Sequence, residues 1–322
     1  MKIVRYHEKG APDVLRVEDA PKPSASEGQA LIRVEACGIS YGEVLQRGGR
    51  FYPVPVTLPA HPGLKVAGVV EQVGPGADAA LVGKRVYVTL TGGGYSEYVV
   101  APASGCIVLP EGVTSVTAVA VLSDGTTAAV LLKHAARLQP GQSVFVPAAA
   151  GGLGYMAVQL ARLYGAGLVI GAASSPEKRK RVLDLGANAV VDYTQEGWAA
   201  QVIAANGGQG VDIALEMTGG PIFYQTLEIV RPTGIIVNYG NASDTESLVN
   251  PRQLLLKGLT LTGFTVRHFP SQAAAAQREV LAFIAAGRLS ALSTTYPFER
   301  AGEAHAAIEQ RRSQGRQILV PA

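Results

Sequence analysis

The sequence has little cysteine and little charge. Cys37 and Cys106 are its only two cysteines in 322 residues. Two thiols so far apart build no disulfide framework, so a reducing, cytoplasmic location is the expectation. Charged residues make up 16% and the net charge is +3. The longest block of cations is Lys178-Arg179-Lys180-Arg181, less than a dedicated nucleic-acid binder carries. No apolar secretion segment stands at the N-terminus and no apolar run near ~20 residues is evident, so neither secretion nor membrane spanning is expected. Glycine (38) and proline (19) are scattered without a period, which excludes collagen-like and low-complexity chains. There is no internal repeat.

What is present is a large apolar fraction, 48% of residues, in a chain long enough for two domains. The first ~120 residues read as short strands cut by Gly/Pro turns, with runs at 30–34, 66–70 and 85–88, and suit a compact barrel-like lobe. Near Ala118 the texture changes to strands alternating with helices. Strands are expected at 143–146, 168–170, 190–191, 211–215 and 235–237. A helix over 154–164 stops at Gly165. Another opens at Ser175-Pro176, where serine caps free amides and proline suits the first helical position, and stops at Gly186. A helix over 271–287 follows. Such alternation predicts a parallel sheet covered on both faces. The last ~30 residues look β-containing, so the C-terminus is expected to rejoin the first lobe.

The strongest local signal is Ala148-Ala149-Ala150-Gly151-Gly152-Leu153-Gly154, between a predicted strand and a predicted helix. A dinucleotide pyrophosphate needs backbone amides at a helix N-terminus with no side chain in the way. With Ala149, Gly151 and Gly154 at the three small positions the pattern is A-x-G-x-x-G, whose alternative is a tight structural turn. An NAD site places an acid at the end of the second strand. Here that strand ends Gly171-Ala172-Ala173-Ser174-Ser175, followed within a helical turn by Lys178 and Arg179. A small neutral strand end beside a cation accepts a 2′-phosphate, so the expected cofactor is NADPH. The alternative is that residues 178–181 form a solvated helix face.

Further segments carry a resemblance: Gly38-Ile39-Ser40 with Arg47, Tyr52-Pro53, Pro62-Gly63, Ala67-Gly68-Val69-Val70-Glu71, Gly94-Tyr95-Ser96-Glu97-Tyr98, residues 125–128 and 174–178, and Gly186-Ala187 to Asp192-Tyr193. Together with the glycine turn they resemble the medium-chain dehydrogenase/reductase superfamily, in its zinc-independent quinone-oxidoreductase-like branch. The resemblance spans essentially the whole chain. It implies an α/β protein: a GroES-like β-rich catalytic lobe over 1–122 and 290–322, and a Rossmann doubly wound parallel-sheet domain over 123–289, with a catalytic cleft between them. It also implies a homodimer, through an edge strand for which residues 259–266 are the candidate. By position, Gly151, Gly152, Leu153 and Gly154 would hold the pyrophosphate. Ser174, Lys178 and Tyr193 would surround the 2′-phosphate. Thr127, Tyr239, Gly240 and Phe264 would lie along the nicotinamide half, with Arg316 closing the site from the C-terminal tail.

Zinc-dependent relatives place Cys, His and Glu where this chain has Ser40, Leu64 and Lys65. Leucine and lysine cannot ligate zinc, and His61 reads as a loop histidine. Without a Lewis acid, the acceptor must already be electron-poor: a quinone, or an alkene conjugated to a carbonyl. For an enoyl thioester, hydride goes to the β-carbon and the enolate is stabilised and protonated. Tyr52 is the candidate catalytic residue, because enoyl-thioester reductases of this superfamily carry tyrosine in a similar G-x-Y-P context. The alternative is a tyrosine that only packs. Quinone-reductase-like members usually show N-x-x-D after the G-I pair, where this chain has Ser40 and Glu43. Arg47, Arg50, Lys65, Arg267 and His268 would add positive charge suited to the phosphates of a CoA thioester, or form a solvated rim. The sequence therefore favours NADPH-dependent reduction of an activated C=C, an enoyl-CoA-type thioester ahead of others. NADPH:quinone oxidoreduction is the alternative. A non-enzymatic nucleotide- or RNA-binding role, as in the similar ζ-crystallins, is a third reading that no aromatic-and-basic signature supports.

Overall fold

The computed structural model describes residues 1–321. Its contacts divide the chain into two units, Met1–Ser123 together with the chain from Leu281 onward, and Asp124–Val280. The second division falls nine residues before the 289/290 boundary expected from sequence, inside the helix Pro270–Ala285.

The first unit is built on a sheet of short, punctuated strands. Gln29–Gly38 pairs antiparallel with Lys65–Val73 and with Tyr98–Pro102, and Lys65–Val73 continues to Arg85–Thr89. On the other side, Arg316–Val320 pairs antiparallel with Gln29–Gly38 and parallel with Ser293–Pro297. The last strands are thus part of the first sheet. A separate hairpin joins Lys2–Arg5 to Arg16–Asp19. Alternating inward side chains, among them Val4, Ile32, Val34, Val66, Val88, Phe298 and Leu319, close a core at or below 3% exposure. Burial of this apolar area is the main driving force for the unit.

The second unit is a six-stranded parallel sheet. In spatial order its strands are Ala189–Val191, Leu168–Ala172, Ser143–Val146, Val211–Glu216, Val230–Asn238 and Thr260–Gly263. In chain order that is 3-2-1-4-5-6, the Rossmann winding, and its strand order reverses beside the strand 143–146. The helix Gly152–Leu163 begins two residues earlier than the pattern suggested, and Gly165, at φ +87°, ends it. Ser175 caps the helix Pro176–Asp184, its Oγ accepting from the Lys178 amide. Phe145 and Trp198 stack at 5.4 Å in the core.

One element departs from the sequence reading. Residues Ser115–Ala135 form a helix of 21 residues whose mean hydropathy of 1.5 makes it long and apolar enough to cross a membrane. Its most apolar window is 78% buried inside the fold, as expected of a core helix. The periodicity was hidden because this helix is apolar on nearly every face.

Candidate active site

The glycine turn follows the strand Ser143–Val146 and opens the helix Gly152–Leu163. Ala148 sits at φ +45°, the Gly151 amide donates to the Ala148 carbonyl at 2.8 Å, and the Ala149 amide donates to the Ala172 carbonyl at 2.9 Å. A β-carbon at Gly154 would stand 2.4 Å from the Ala148 carbonyl oxygen and 2.8 Å from the Ala149 α-carbon, both rigid backbone. Only glycine lets the helix come this close to the strand. The cap residue Gly151 supplies no side-chain hydrogen bond, so the first amides of the helix, at Gly152, Leu153 and Gly154, point outward at its positive end. This cradle fits a pyrophosphate.

Ser174, exposed, follows the neighbouring strand Leu168–Ala172; Lys178, half-buried, stands in the helix Pro176–Asp184, and Tyr193, half-buried, follows the next strand out, Ala189–Val191. Burial pulls the Lys178 amine below its usual range, partly offset by Glu177. A phosphate dianion beside it would oppose that shift by favouring the charged amine. The nearby cation Arg179 is engaged, its guanidinium on Asp192 at 2.6 Å.

Thr127 is half-buried in the helix Ser115–Val130. Tyr239 and Gly240 follow the strand Val230–Asn238, and Phe264 follows the strand Thr260–Gly263. The Phe264 amide donates to the Asn238 carbonyl at 2.8 Å and its ring packs on Phe269 at 5.5 Å. Burial, helped by Glu216, Tyr193 and Asp124, pushes the Tyr239 phenol well up, so it stays a neutral donor. Glu216 itself is 1% exposed and accepts from the Thr218 amide (2.8 Å), the Gly219 amide (2.9 Å) and Asn238 Nδ2 (2.9 Å). It holds the ends of two adjacent strands in register. A cavity of about 480 Å³ lies there, lined among others by Phe223, Asn238, Gly240 and Leu261. Gly240 is the one residue expected at the cofactor that lines it.

Tyr52 and Arg316 belong to the first unit. Tyr52 is half-buried, its ring over Gly42 in the helix Tyr41–Arg47. That helix starts with a capping box: Glu43 accepts from the Ser40 amide at 2.7 Å and from Ser40 Oγ at 2.6 Å. The other Glu43 oxygen accepts from the Gly63 amide at 2.5 Å. Burial pushes the Glu43 carboxyl up; these donors and the charge of Arg316 oppose the shift. Arg316 is the first residue of the strand Arg316–Val320, 8% exposed, with its Nε 3.0 Å from where a Gly38 β-carbon would stand.

The GroES-like domain of alcohol dehydrogenases matches residues 26–111, and the family described as zinc-binding dehydrogenase matches residues 152–286. A human quinone oxidoreductase is 34% identical over 329 residues, covering 99% of this chain and 98% of its own. A 2-haloacrylate reductase from a Burkholderia species is 31% identical over 325 residues, covering 98% and 97%. Among solved structures, an Escherichia coli quinone oxidoreductase complexed with NADPH superimposes with a TM-score of 0.91 at 28% identity, each chain covered completely. A mycobacterial protein complexed with NADPH gives 0.90 at 34% identity, again over both whole chains. The chain belongs to the zinc-independent, quinone-oxidoreductase-like branch of the medium-chain dehydrogenase/reductase superfamily.

Within that branch, the positions where zinc-dependent members carry ligands hold Ser40, Leu64 and Lys65. Glu43 ties the first of these segments to the residue before the second. His61 Nε2 donates to the Tyr95 carbonyl at 3.2 Å and lies 3.0 Å from Ser96 Oγ, and burial lowers its basicity. Among the described residues, no three His, Cys, Asp or Glu side chains are grouped to hold a metal.

The structure overturns one expectation about charge. Arg47 is 1% exposed; it donates to the Gly10 carbonyl at 2.5 Å and to Glu309 at 2.5 Å. It pins the helix Tyr41–Arg47 and cannot take part in a basic rim. The helix exposes a different side at that position, which spacing alone did not show. The buried carboxylates Glu43 and Glu216 are the residues whose part sequence reasoning missed. Glu216 is the last residue of a strand and Glu43 lies in the first turn of a helix, positions too common for an acid to single them out.

Proposed function

We propose that the chain is an NADPH-dependent oxidoreductase whose acceptor is a quinone. The observation that carries this reading is full-length likeness to quinone oxidoreductases, both units included, at up to 34% identity. NADPH supplies a hydride when bound. The outward amides of residues 152–154 bind its pyrophosphate, Ser174, Lys178 and Tyr193 bind its 2′-phosphate, and Thr127, Tyr239, Gly240 and Phe264 orient its nicotinamide half. Arg316 acts from its strand as a fixed charge beside Glu43. A reduced quinone leaves an oxyanion that a hydrogen-bond donor stabilises, and the Tyr52 phenol is the donor this chain offers.

A second reading is reduction of an alkene conjugated to a carboxyl or carbonyl group. The likeness to a 2-haloacrylate reductase favours it. An enoyl-CoA thioester is the weaker form of this reading, since Arg47 is engaged inside the protein. The protein acts in the cytoplasm as a homodimer through the edge strand Thr260–Gly263. That strand ends the sheet, and the helix leading to it exposes Leu255 (79%) and Leu256 (76%).

The test is NADPH oxidation followed in parallel with benzoquinones, 2-haloacrylate and short enoyl-CoA thioesters. A kcat/KM for quinones above that for both alkenes supports the main reading. Turnover of an alkene without quinone turnover overturns it.

A further inference from the structure

The run Lys178-Arg179-Lys180-Arg181 places four cations at the start of one helix, and they point to different sides of it. Lys180 pairs with Asp184 at 2.9 Å and Arg181 with Glu177 at 3.3 Å, both one turn apart on the outer face. Arg179 turns the other way. Its Nη1 donates to Asp192 Oδ2 at 2.6 Å and to the Ala173 carbonyl at 3.2 Å. Asp192 Oδ1 accepts from the Thr194 amide at 3.1 Å and Thr194 Oγ1 at 2.6 Å. The two side chains are only 23% and 19% exposed.

One guanidinium therefore joins two segments. The first is the chain at Ala173, immediately before Ser174. The second is the turn 192–194, which contains Tyr193. The residues proposed to hold the 2′-phosphate lie on these two segments and on the residue next to Arg179. Arg179 also neutralises Asp192. An uncompensated carboxylate there would repel a phosphate dianion. One guanidinium nitrogen, Nη1, is shared between a carboxylate and a carbonyl, and the planar group on which it sits holds that direction more rigidly than a freely rotating ammonium would.

We infer that Arg179 and Asp192 are a positioning pair that shapes the 2′-phosphate pocket and sets the preference for NADPH over NADH, neither side chain touching the cofactor. This inference rests on the NADPH reading above. It assigns the discrimination to a contact made inside the protein.

The experiment titrates adenosine 2′,5′-bisphosphate and 5′-AMP calorimetrically into the wild type, Arg179→Met, Arg179→Lys and Asp192→Asn, with melting curves to show that each is folded. Both Arg179→Met and Asp192→Asn are expected to weaken the bisphosphate about tenfold, the loss of one charge-assisted contact. Binding of 5′-AMP is expected to stay within about twofold, and Arg179→Lys to recover part of the loss. Tighter bisphosphate binding by Asp192→Asn would overturn the inference, because Arg179 would then be a phosphate ligand restrained by Asp192. Equal losses for both nucleotides, or none for either, would also overturn it. A wild type that binds the two nucleotides equally removes the NADPH reading itself, before any variant is considered.

Discussion

The Tyr52 ring rests on the bare α-carbon of Gly42: a β-carbon built there would stand 2.5 Å from Tyr52 Cζ and 2.8 Å from its hydroxyl oxygen. The seat exists only because position 42 has no side chain. Gly42→Ala is expected to displace the phenol and to lower kcat about as much as Tyr52→Phe, roughly 10²-fold if the phenol serves as donor. The double variant should lose no more than either single one. Steady-state kinetics on the best acceptor checks this, and unchanged turnover in Tyr52→Phe removes the phenol from the chemistry.

Gly154→Ala puts a methyl group against the Ala148 carbonyl oxygen, 2.4 Å away. The helix must back off the strand. Overpacking of this kind costs roughly 1–3 kcal/mol, and it moves the amides that face the pyrophosphate. The expected result is a lower melting temperature together with weaker binding of both NADPH and NADH, read by intrinsic fluorescence. Loss of stability with unchanged nucleotide affinity would argue against the cradle.

His305 is fully buried, its Nε2 on the Tyr95 hydroxyl at 3.0 Å, and burial, with Arg47 nearby, lowers its pKa from 6.5 to about 3. Between those values the unfolded chain takes up a proton that the folded ring refuses. The stabilisation is therefore complete above pH 6.5 and is lost progressively as pH falls toward 3. The slope approaches about 1.4 kcal/mol per pH unit. Urea unfolding at pH 7.5 and at pH 5 should show this fall, and His305→Gln should flatten it. An equal pH dependence in the variant would assign the fall to other groups.

Arg47→Met removes the donor to the Gly10 carbonyl and to Glu309. A loss of about 2 kcal/mol is expected, tempered because Glu309 is 31% exposed and water reaches it. If any CoA thioester is turned over, its KM should be unaffected, since Arg47 lies inside the first unit. A KM that rises selectively for CoA thioesters would return Arg47 to substrate binding.

The glycine turn, the capped helix at Ser175 and most strands of the parallel sheet were legible because each depends on neighbours in sequence: small residues where backbone must approach backbone, and an apolar run for each buried strand. The helix Ser115–Val130 was not legible, because uniform burial erases the period that marks a helix. The motif around Ser174 drew notice to Lys178 and Arg179 alike. Only the fold shows Arg179 held by Asp192.

The amino-acid order by itself determined the change from a strand-rich first part to alternating strands and helices and the strand-turn-helix at the glycine turn, since these follow from residue type and local spacing, while the meaning of Ser40, Leu64 and Lys65 came from the resemblance to zinc-dependent relatives. The tertiary structure decided which charges face inward. Arg47 meets Glu309 across 262 positions and Glu43 meets Gly63 across 20. No local pattern encodes contacts of that separation, which arise only when distant elements pack and each buried charge must find a partner.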